Sequence, residues 1–382
     1  MIPATEEVLK LRSVLFQPIN LGGCQLSSRI TMTPTFVAYN NLDGTASDAT
    51  YEHYRDMGAA GAGMVVVENC IIDHERSWFG RLLRVDHDNF LPGLTKLCGV
   101  IKEGGAAAFC QINHGGRYST NPNLIAPSPI RAFDWPEPRE MTFDDIKEVI
   151  QMYAQAALRV KRAGFDGVEI HGATGYLPAQ FLSPRTNKRN DGYGGSLENR
   201  MRFGLELVQA VKDAVGAGYP VGYRFMADEW MNDGLQLTEA KVYAAKLSAV
   251  GVAYLSVTAG LYESMFTEDK IDLSEQENYM VDYAGAVKEV VNIPVVAAGR
   301  IATPAAAEIV IDSGQADLIG LSRVLLADPE WPRKAKEERD HEINLCRTKC
   351  DSCLSLVMQQ KPAICAAWDV ERKKKFRALL DK

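Results

Sequence analysis

The sequence predicts an α/β fold, a (β/α)8 TIM barrel followed by a short cysteine-rich C-terminal extension. Three observations predict it. Eight short apolar runs recur with amphipathic stretches between them, the pattern of parallel βαβ units that close on themselves. The length, 382 residues, suits a barrel that takes about 250 residues before insertions. No Gly-x-Gly-x-x-Gly follows any run, which counts against the rival doubly wound sheet with its dinucleotide site.

In order, the runs are 30–34 (ITMTP), 63–69 (GMVVVEN), 106–112 (AAAFCQI), 167–172 (GVEIHG), 221–226 (VGYRFM), 254–259 (YLSVTA), 294–299 (PVVAAG) and 318–323 (LIGLSR). Helical spacing of apolar residues fills 143–163 and 240–250. The glycine-led phrases at 164–167, 251–254 and 314–318 read as helix-to-strand loops. The barrel is assigned to residues 1–338 and the extension, with its basic tail ERKKKFRALLDK, to residues 339–382.

Composition is that of an ordinary soluble globular protein: 42 Lys+Arg against 49 Asp+Glu, net charge −7, 46% hydrophobic. It gives no reason to expect a nucleic-acid partner. The N-terminus carries charges where a signal peptide needs an unbroken apolar segment, and no window approaches a membrane span, so a cytoplasmic protein with reduced or metal-bound thiols is expected. A homo-oligomer is left open.

Chemistry in such barrels sits where strands end at the C-terminal face. There the runs present amide, imidazole, phenol and guanidinium groups, without a carboxylate pair or a His-Glu metal triad. Gln111 opens the segment QINHGGR and is placed to hydrogen-bond a heterocycle; a tight turn with solvated His114 and Arg117 is the alternative, and spacing leaves both open. His171, Thr174 and Tyr176 follow the fourth run. An imidazole donor and a phenol acid would deliver a proton, against the plainer reading of a structural histidine and a packing tyrosine. Arg224, inside an apolar strand, needs an anionic partner: an internal Asp or Glu, or a cofactor carrying delocalised negative charge. Ala298-Gly299-Arg300 and Ser322-Arg323 close the last two runs, where phosphate is commonly cradled, and Thr303-Pro304 is a helix start with Thr303 as N-cap.

These residues carry a family resemblance. FLSPRTNKRNDGYGGSLENRMRF at 181–203 resembles the signature of the old yellow enzyme family of flavin oxidoreductases. The likeness runs from LFQPINLGG at 15–23 through AFCQINHGGR, APSPI, GFDGVEIHGATGYLPAQFLSP and VAAGRI to LLADPEWPRKA at 325–335. The resemblance implies FMN at the barrel mouth. It places Pro34, Thr35, Phe36 and Asn69 beside the flavin, Gln111 at its pyrimidine edge and Arg224 where reduced flavin gathers negative charge. Ala298, Gly299, Arg300, Ser322 and Arg323 would hold the phosphate. His171 and Thr174 would meet the substrate's carbonyl oxygen, and Tyr176 would be the proton donor.

The implied reaction is ene reduction: hydride from flavin N5 to the β-carbon of an activated C=C bond, in an enone, an enoyl-CoA thioester or an unsaturated acid. Two positions depart from the family pattern. Thr174 stands where His or Asn is usual, which argues against an acceptor clamped by two donors, and Phe36 replaces a Thr or Cys, which should shift the flavin's potential. Amine-dehydrogenase-type oxidation or C–N cleavage is the alternative chemistry. An electron-transfer subunit with no small substrate is the alternative of another class.

Four of the eight cysteines crowd into Cys346-x3-Cys350-x2-Cys353-x11-Cys365, a density that suggests metal in a cytosolic chain. Longer members of the resembled family, similar to dienoyl-CoA reductase and trimethylamine dehydrogenase, carry a [4Fe-4S] cluster after the barrel. The last gap agrees with theirs, but their first two gaps are x2 with x2 or x3 where this chain has x3 then x2, so one ligand is displaced by a residue. A [4Fe-4S] cluster is therefore expected, with zinc second. Four unligated thiols would leave a segment with little to fold around. Electrons would come from NAD(P)H directly or from a partner protein, and the basic tail is either a solvated helix or a dock for an acidic carrier. Cys24, Cys70, Cys98 and Cys110 read as small core residues.

Overall fold

A computed structural model describes residues 14–380. The N-terminal stretch judged for a leader segment falls mostly, and the last two residues of the basic tail wholly, outside the described residues. Eight strands form a closed parallel barrel: β1 (Ile30–Met32), β2 (Met64–Ile71), β3 (Ala107–Asn113), β4 (Gly167–Gly172), β5 (Val221–Met226), β6 (Tyr254–Thr258), β7 (Val295–Ala297) and β8 (Leu318–Leu321). Each strand pairs with its sequence neighbours, and β8 returns to β1. Each run predicted from the sequence overlaps one strand, with β2 and β3 continuing two residues and one residue beyond their runs, because barrel strands buried on both sides read as unbroken apolar runs.

Helices shield the barrel's outside. They include α1 (Asp48–Gly58), α2 (Leu91–Lys102), α3 (Phe143–Arg162), α4 (Leu197–Val215), α5 (Leu237–Ala249), α6 (Val281–Lys288) and α7 (Pro304–Asp312). A capping box starts α3: Asp145 N–H donates to Thr142 Oγ1 at 3.1 Å and Thr142 N–H to Asp145 Oδ2 at 2.7 Å. Thr303 caps α7 as expected, accepting from Ala306 N–H at 3.2 Å.

The bottom of the barrel is sealed by a hairpin absent from the sequence reading, Ile19–Leu21 with Cys24–Leu26. Its Leu21 and Leu26 join Met64, Val66, Phe109, Tyr254, Val296 and Leu318 in one buried plug. Gly222 makes room for the Tyr254 ring, since a Cβ there would lie 2.2 Å from its Cζ. Above the plug the barrel interior turns polar, which lifts the chemistry to the mouth.

The extension corrects one expectation. It has a core of its own: Val357, Ala363, Cys365, Trp368 and Phe376 pack on Val37, Tyr39 and Leu326 of the barrel. Tyr39 OH donates to the Ala363 carbonyl at 2.6 Å, Trp368 Nε1–H to the Leu326 carbonyl at 2.6 Å, and Arg372 pairs with Asp56 at 2.7 Å. The segment thus has aromatic residues to fold around whatever its thiols bind. Its tail forms the helix Val370–Leu380, and the buried Phe376 sets it apart from a merely solvated helix.

Candidate active site at the barrel mouth

The loop after β4 brings His171 and Tyr176 together, their ring centroids 4.5 Å apart in an edge-on arrangement. Both are buried. Burial, and then the nearby Arg224 charge, holds the His171 pKa well below its usual value, so the imidazole is neutral. Its Nδ1 accepts from Ala173 N–H at 3.4 Å, an assignment from the hydrogen-bond network that leaves the proton on Nε2. Tyr176 OH lies 2.9 Å from Tyr262 OH, and the Asn69 amide stands beside it. Burial and then Tyr262 push the Tyr176 pKa well up, so the phenol keeps its proton through the neutral range. Thr174, between them in sequence, has φ 56°, a left-handed conformation that a β-branched residue adopts at a cost.

The floor beneath is a layered polar stack. Gln111 Nε2 donates to Glu169 Oε1 at 2.8 Å, and Arg224 Nη1 donates to Ser256 Oγ at 2.8 Å. Glu169 of β4 lies within electrostatic reach of Arg224, and its charge supports the guanidinium against burial. On β2 a bulge between Val67 and Cys70 brackets Glu68 and Asn69. Glu68 accepts from Val37 N–H at 2.8 Å and Asn40 Nδ2 at 3.0 Å, and so clamps the loop after β1. Burial lifts its pKa to about 8. That loop carries Pro34, Thr35 and Phe36; Thr35 Oγ1 is 2.7 Å from Ser322 Oγ, and Phe36 packs against the extension.

Ala298, Gly299 and Arg300 follow β7, and Ser322 and Arg323 follow β8. Gly299, at φ 112°, passes so close to Met280 that a Cβ would lie 2.7 Å from the Met280 Cβ. Arg224, Arg300 and Arg323 all lie within electrostatic reach of Tyr279. His114 and Arg117, which the turn alternative left in solvent, are buried, and Arg117 and Tyr118 both bond the Glu263 carboxylate.

The four cysteines read as metal ligands are not gathered into a ligand group. Among the described residues no three or more His, Cys, Asp or Glu side chains are arranged to hold a metal ion. Cys346, Cys353 and Cys365 share one apolar cluster, whereas Cys350 is hydrogen-bonded to Ser352, which draws its pKa down. Burial pushes the Cys346 and Cys353 thiols up and Arg323 pulls them back.

A cavity of about 330 Å³ opens over Pro34, Thr35 and Arg323. Phe79, Tyr118, Phe133, Trp135 and Tyr262 form one wall; Leu354, Val357 and Met358 of the extension form another. Sequence reasoning missed the aromatic wall, whose members come from separate loops without periodicity. It also missed Glu169, although a carboxylate in an apolar run is the same signal that singled out Arg224.

A family model described as NADH:flavin oxidoreductase / NADH oxidase family matches residues 14–342. The chain belongs to that family. The family is one of flavin oxidoreductases of the old yellow enzyme type, and membership supports FMN and NAD(P)H as cofactors. The chain is 43% identical over 347 residues to an NADH oxidase of Thermoanaerobacter brockii, across 89% of this chain and 52% of that one. It is 35% identical over 331 residues to an NADPH dehydrogenase of Geobacillus thermodenitrificans, across 86% and 95%. A solved 2-naphthoyl-CoA reductase in complex with 2-naphthoyl-CoA matches with a TM-score of 0.90 at 28% identity, over 96% of this chain and 58% of that one. The chain spans about half the length of the NADH oxidase. Among the described residues no helix is long and apolar enough to cross a membrane.

Proposed function

We propose that this flavin oxidoreductase binds FMN at the barrel mouth and reduces an activated C=C bond, with Tyr176 as proton donor. The observation that carries the reading is the neutral His171 with its Nε2 proton set edge-on at 4.5 Å to a phenol that stays protonated. His171 holds the acceptor's carbonyl oxygen, with Thr174 beside it, and Tyr176 gives its proton to the α-carbon. Tyr262, bonded to the Tyr176 hydroxyl and lining the open cavity, offers the route by which that proton is replaced.

The residues suit a flat, phosphate-bearing heterocycle. Asn69 Oδ1 is buried without a protein partner, the Arg224, Arg300 and Arg323 charges all reach Tyr279, and Gly299 leaves backbone bare where a side chain would not fit. Pro34, Thr35, Phe36, Asn69, Gln111 and Arg224 would border the ring system; Ala298, Gly299, Arg300, Ser322 and Arg323 would take the phosphate. Bound FMN supplies the hydride, with NAD(P)H as the reductant. The aromatic wall favours a flat apolar acceptor, and an aromatic acyl thioester joins the enones as a candidate.

The test is Tyr176→Phe in the FMN-loaded enzyme under anaerobic conditions. Flavin reduction by NAD(P)H should stay near wild type, while reoxidation by an enone slows by about 10²–10⁴-fold. Reoxidation at the wild-type rate would overturn the assignment. A [4Fe-4S] cluster on Cys346, Cys350, Cys353 and Cys365 belongs to the same proposal, supported by the donor chemistry alone; it requires Cys350 to leave Ser352 and join the three thiols of the apolar cluster. Iron and sulfide in anaerobically purified protein check it; stoichiometric zinc without sulfide rejects it.

A further inference from the structure

We propose that Glu169 is a positioning residue for the flavin site: it fixes which end of the Gln111 amide faces the mouth and balances the charge of Arg224. The inference rests on the FMN reading above. Its evidence is the order of the polar layers inside the barrel.

Glu169 and His171 are two apart on β4 and point to the same side, with His171 uppermost. In register, Gln111 lies beside Glu169 and Arg224 beside His171. Glu169 therefore sits one layer below the mouth, directly on the apolar plug. It is 1% exposed; burial raises its pKa, while the Arg224 charge and the hydrogen bonds from Tyr254 and Gln111 oppose that rise and favour the carboxylate.

An ionised carboxylate accepts hydrogen bonds and donates none. Both of its oxygens are taken: Oε1 by Gln111 Nε2 at 2.8 Å and Oε2 by Tyr254 OH at 2.9 Å. The Gln111 amide consequently turns its nitrogen down to Glu169 and its oxygen up to the mouth. Without the carboxylate the two ends of that amide would be nearly interchangeable. Tyr254 is itself held by the cleft that Gly222 leaves, so the second donor cannot drift. The arrangement gives the mouth one acceptor of defined direction.

The second effect is electrostatic. Arg224 has Ser256 as a neutral hydrogen-bond partner and Glu169 as its charge partner. A buried guanidinium left uncompensated would favour any extra negative charge placed above it. With Glu169 ionised below, that preference is partly cancelled. The carboxylate thus holds the site's preference for reduced over oxidised flavin lower than Arg224 alone would set it.

The test compares wild type, Glu169→Gln and Glu169→Asp, each reconstituted with FMN. The readouts are FMN affinity by fluorescence quenching and the two-electron midpoint potential by anaerobic reductive titration. Glu169→Gln, which keeps the shape and removes the charge, should bind reduced over oxidised flavin on the order of tenfold more strongly, a shift of about 30 mV to more positive potential. Glu169→Asp keeps the charge but falls short of Gln111, so it should bind FMN more weakly at a potential near wild type. Equal potentials in Glu169→Gln and wild type, or equal shifts in both variants, would overturn the charge role. Unchanged FMN affinity in Glu169→Asp would overturn the orienting role. Should Glu169→Gln retain no flavin, an Asp variant with a shifted potential still refutes the inference and one at wild-type potential upholds it. A wild-type chain that takes up no FMN refutes the flavin reading itself.

Discussion

Thr174→Asn is the substitution that most directly tests how the mouth holds its substrate. Thr174 sits at φ 56°, where the β-branched side chain is costly and Asn is tolerated. Relief of that strain is worth about 1 kcal/mol, which in a chain of this size raises the melting temperature by roughly 1–2 °C. Asn also adds an N–H donor beside His171, aimed where the acceptor's oxygen gathers charge. A hydrogen bond to a charged oxygen contributes about 1.5–3 kcal/mol, or about tenfold to a hundredfold in kcat/KM. The assay is anaerobic reoxidation of the FMN-loaded enzyme by 2-cyclohexenone, with thermal unfolding of the same samples. Thr174→Gly is the control, because it relieves the strain without supplying a donor. A gain in melting temperature with no gain in rate would refute the carbonyl-clamp reasoning while leaving the strain argument intact; no change in either would refute both.

His53 should make the fold acid-sensitive. It is buried between Tyr39 and Tyr54 with neither ring nitrogen bonded, and burial, then the Arg372 charge, lowers its pKa from 6.5 to about 3. The unfolded chain takes up that proton below pH 6.5 and the folded chain does not until about pH 3, so stability is lost as pH falls through that window. Between pH 6 and pH 4 the loss is about 2–3 kcal/mol, and His53→Leu should remove it from the pH dependence of urea unfolding; an unaltered acid limb would count against a neutral buried His53. Trp368→Ala should detach the extension at a cost of about 3–5 kcal/mol, since it leaves a cavity and strips the Leu326 carbonyl of its donor. Limited proteolysis should then cut within residues 339–370 while the barrel survives; wild-type resistance would contradict the packing described.

Much of the barrel was legible because its signal is local. β4 and β5 coincide with their apolar runs, and the polar residues that end the runs are those the mouth displays. The hairpin at 19–26 was not legible, since strands of three residues leave no periodicity to read. Tyr262 and Tyr118 were missed because their meeting with Tyr176 depends on three loops far apart in the chain. Glu169 was missed for another reason: attention to strand ends passed over a group one layer down, although the demand for an anion at Arg224 already pointed to it. The extension misled because its core forms across more than three hundred residues of sequence, Tyr39 against Phe376, and its own composition shows little of that.

The extension and the mouth are best treated as one electrostatic unit. Glu275 lies 3.5 Å from Arg300 and accepts from Lys349 N–H at 2.8 Å, so a single carboxylate ties the loop after β7 to the cysteine-bearing segment. Arg323 lines the substrate-sized cavity and also pulls on the Cys346 and Cys353 thiols. Removing residues 339–380 would do more than delete a module: it would open one wall of the cavity, uncover Tyr39 and Val37, and release Arg323 from the thiols. A shortened barrel would therefore report a weaker substrate site than the intact chain, because Leu354, Val357 and Met358 would no longer close the cavity.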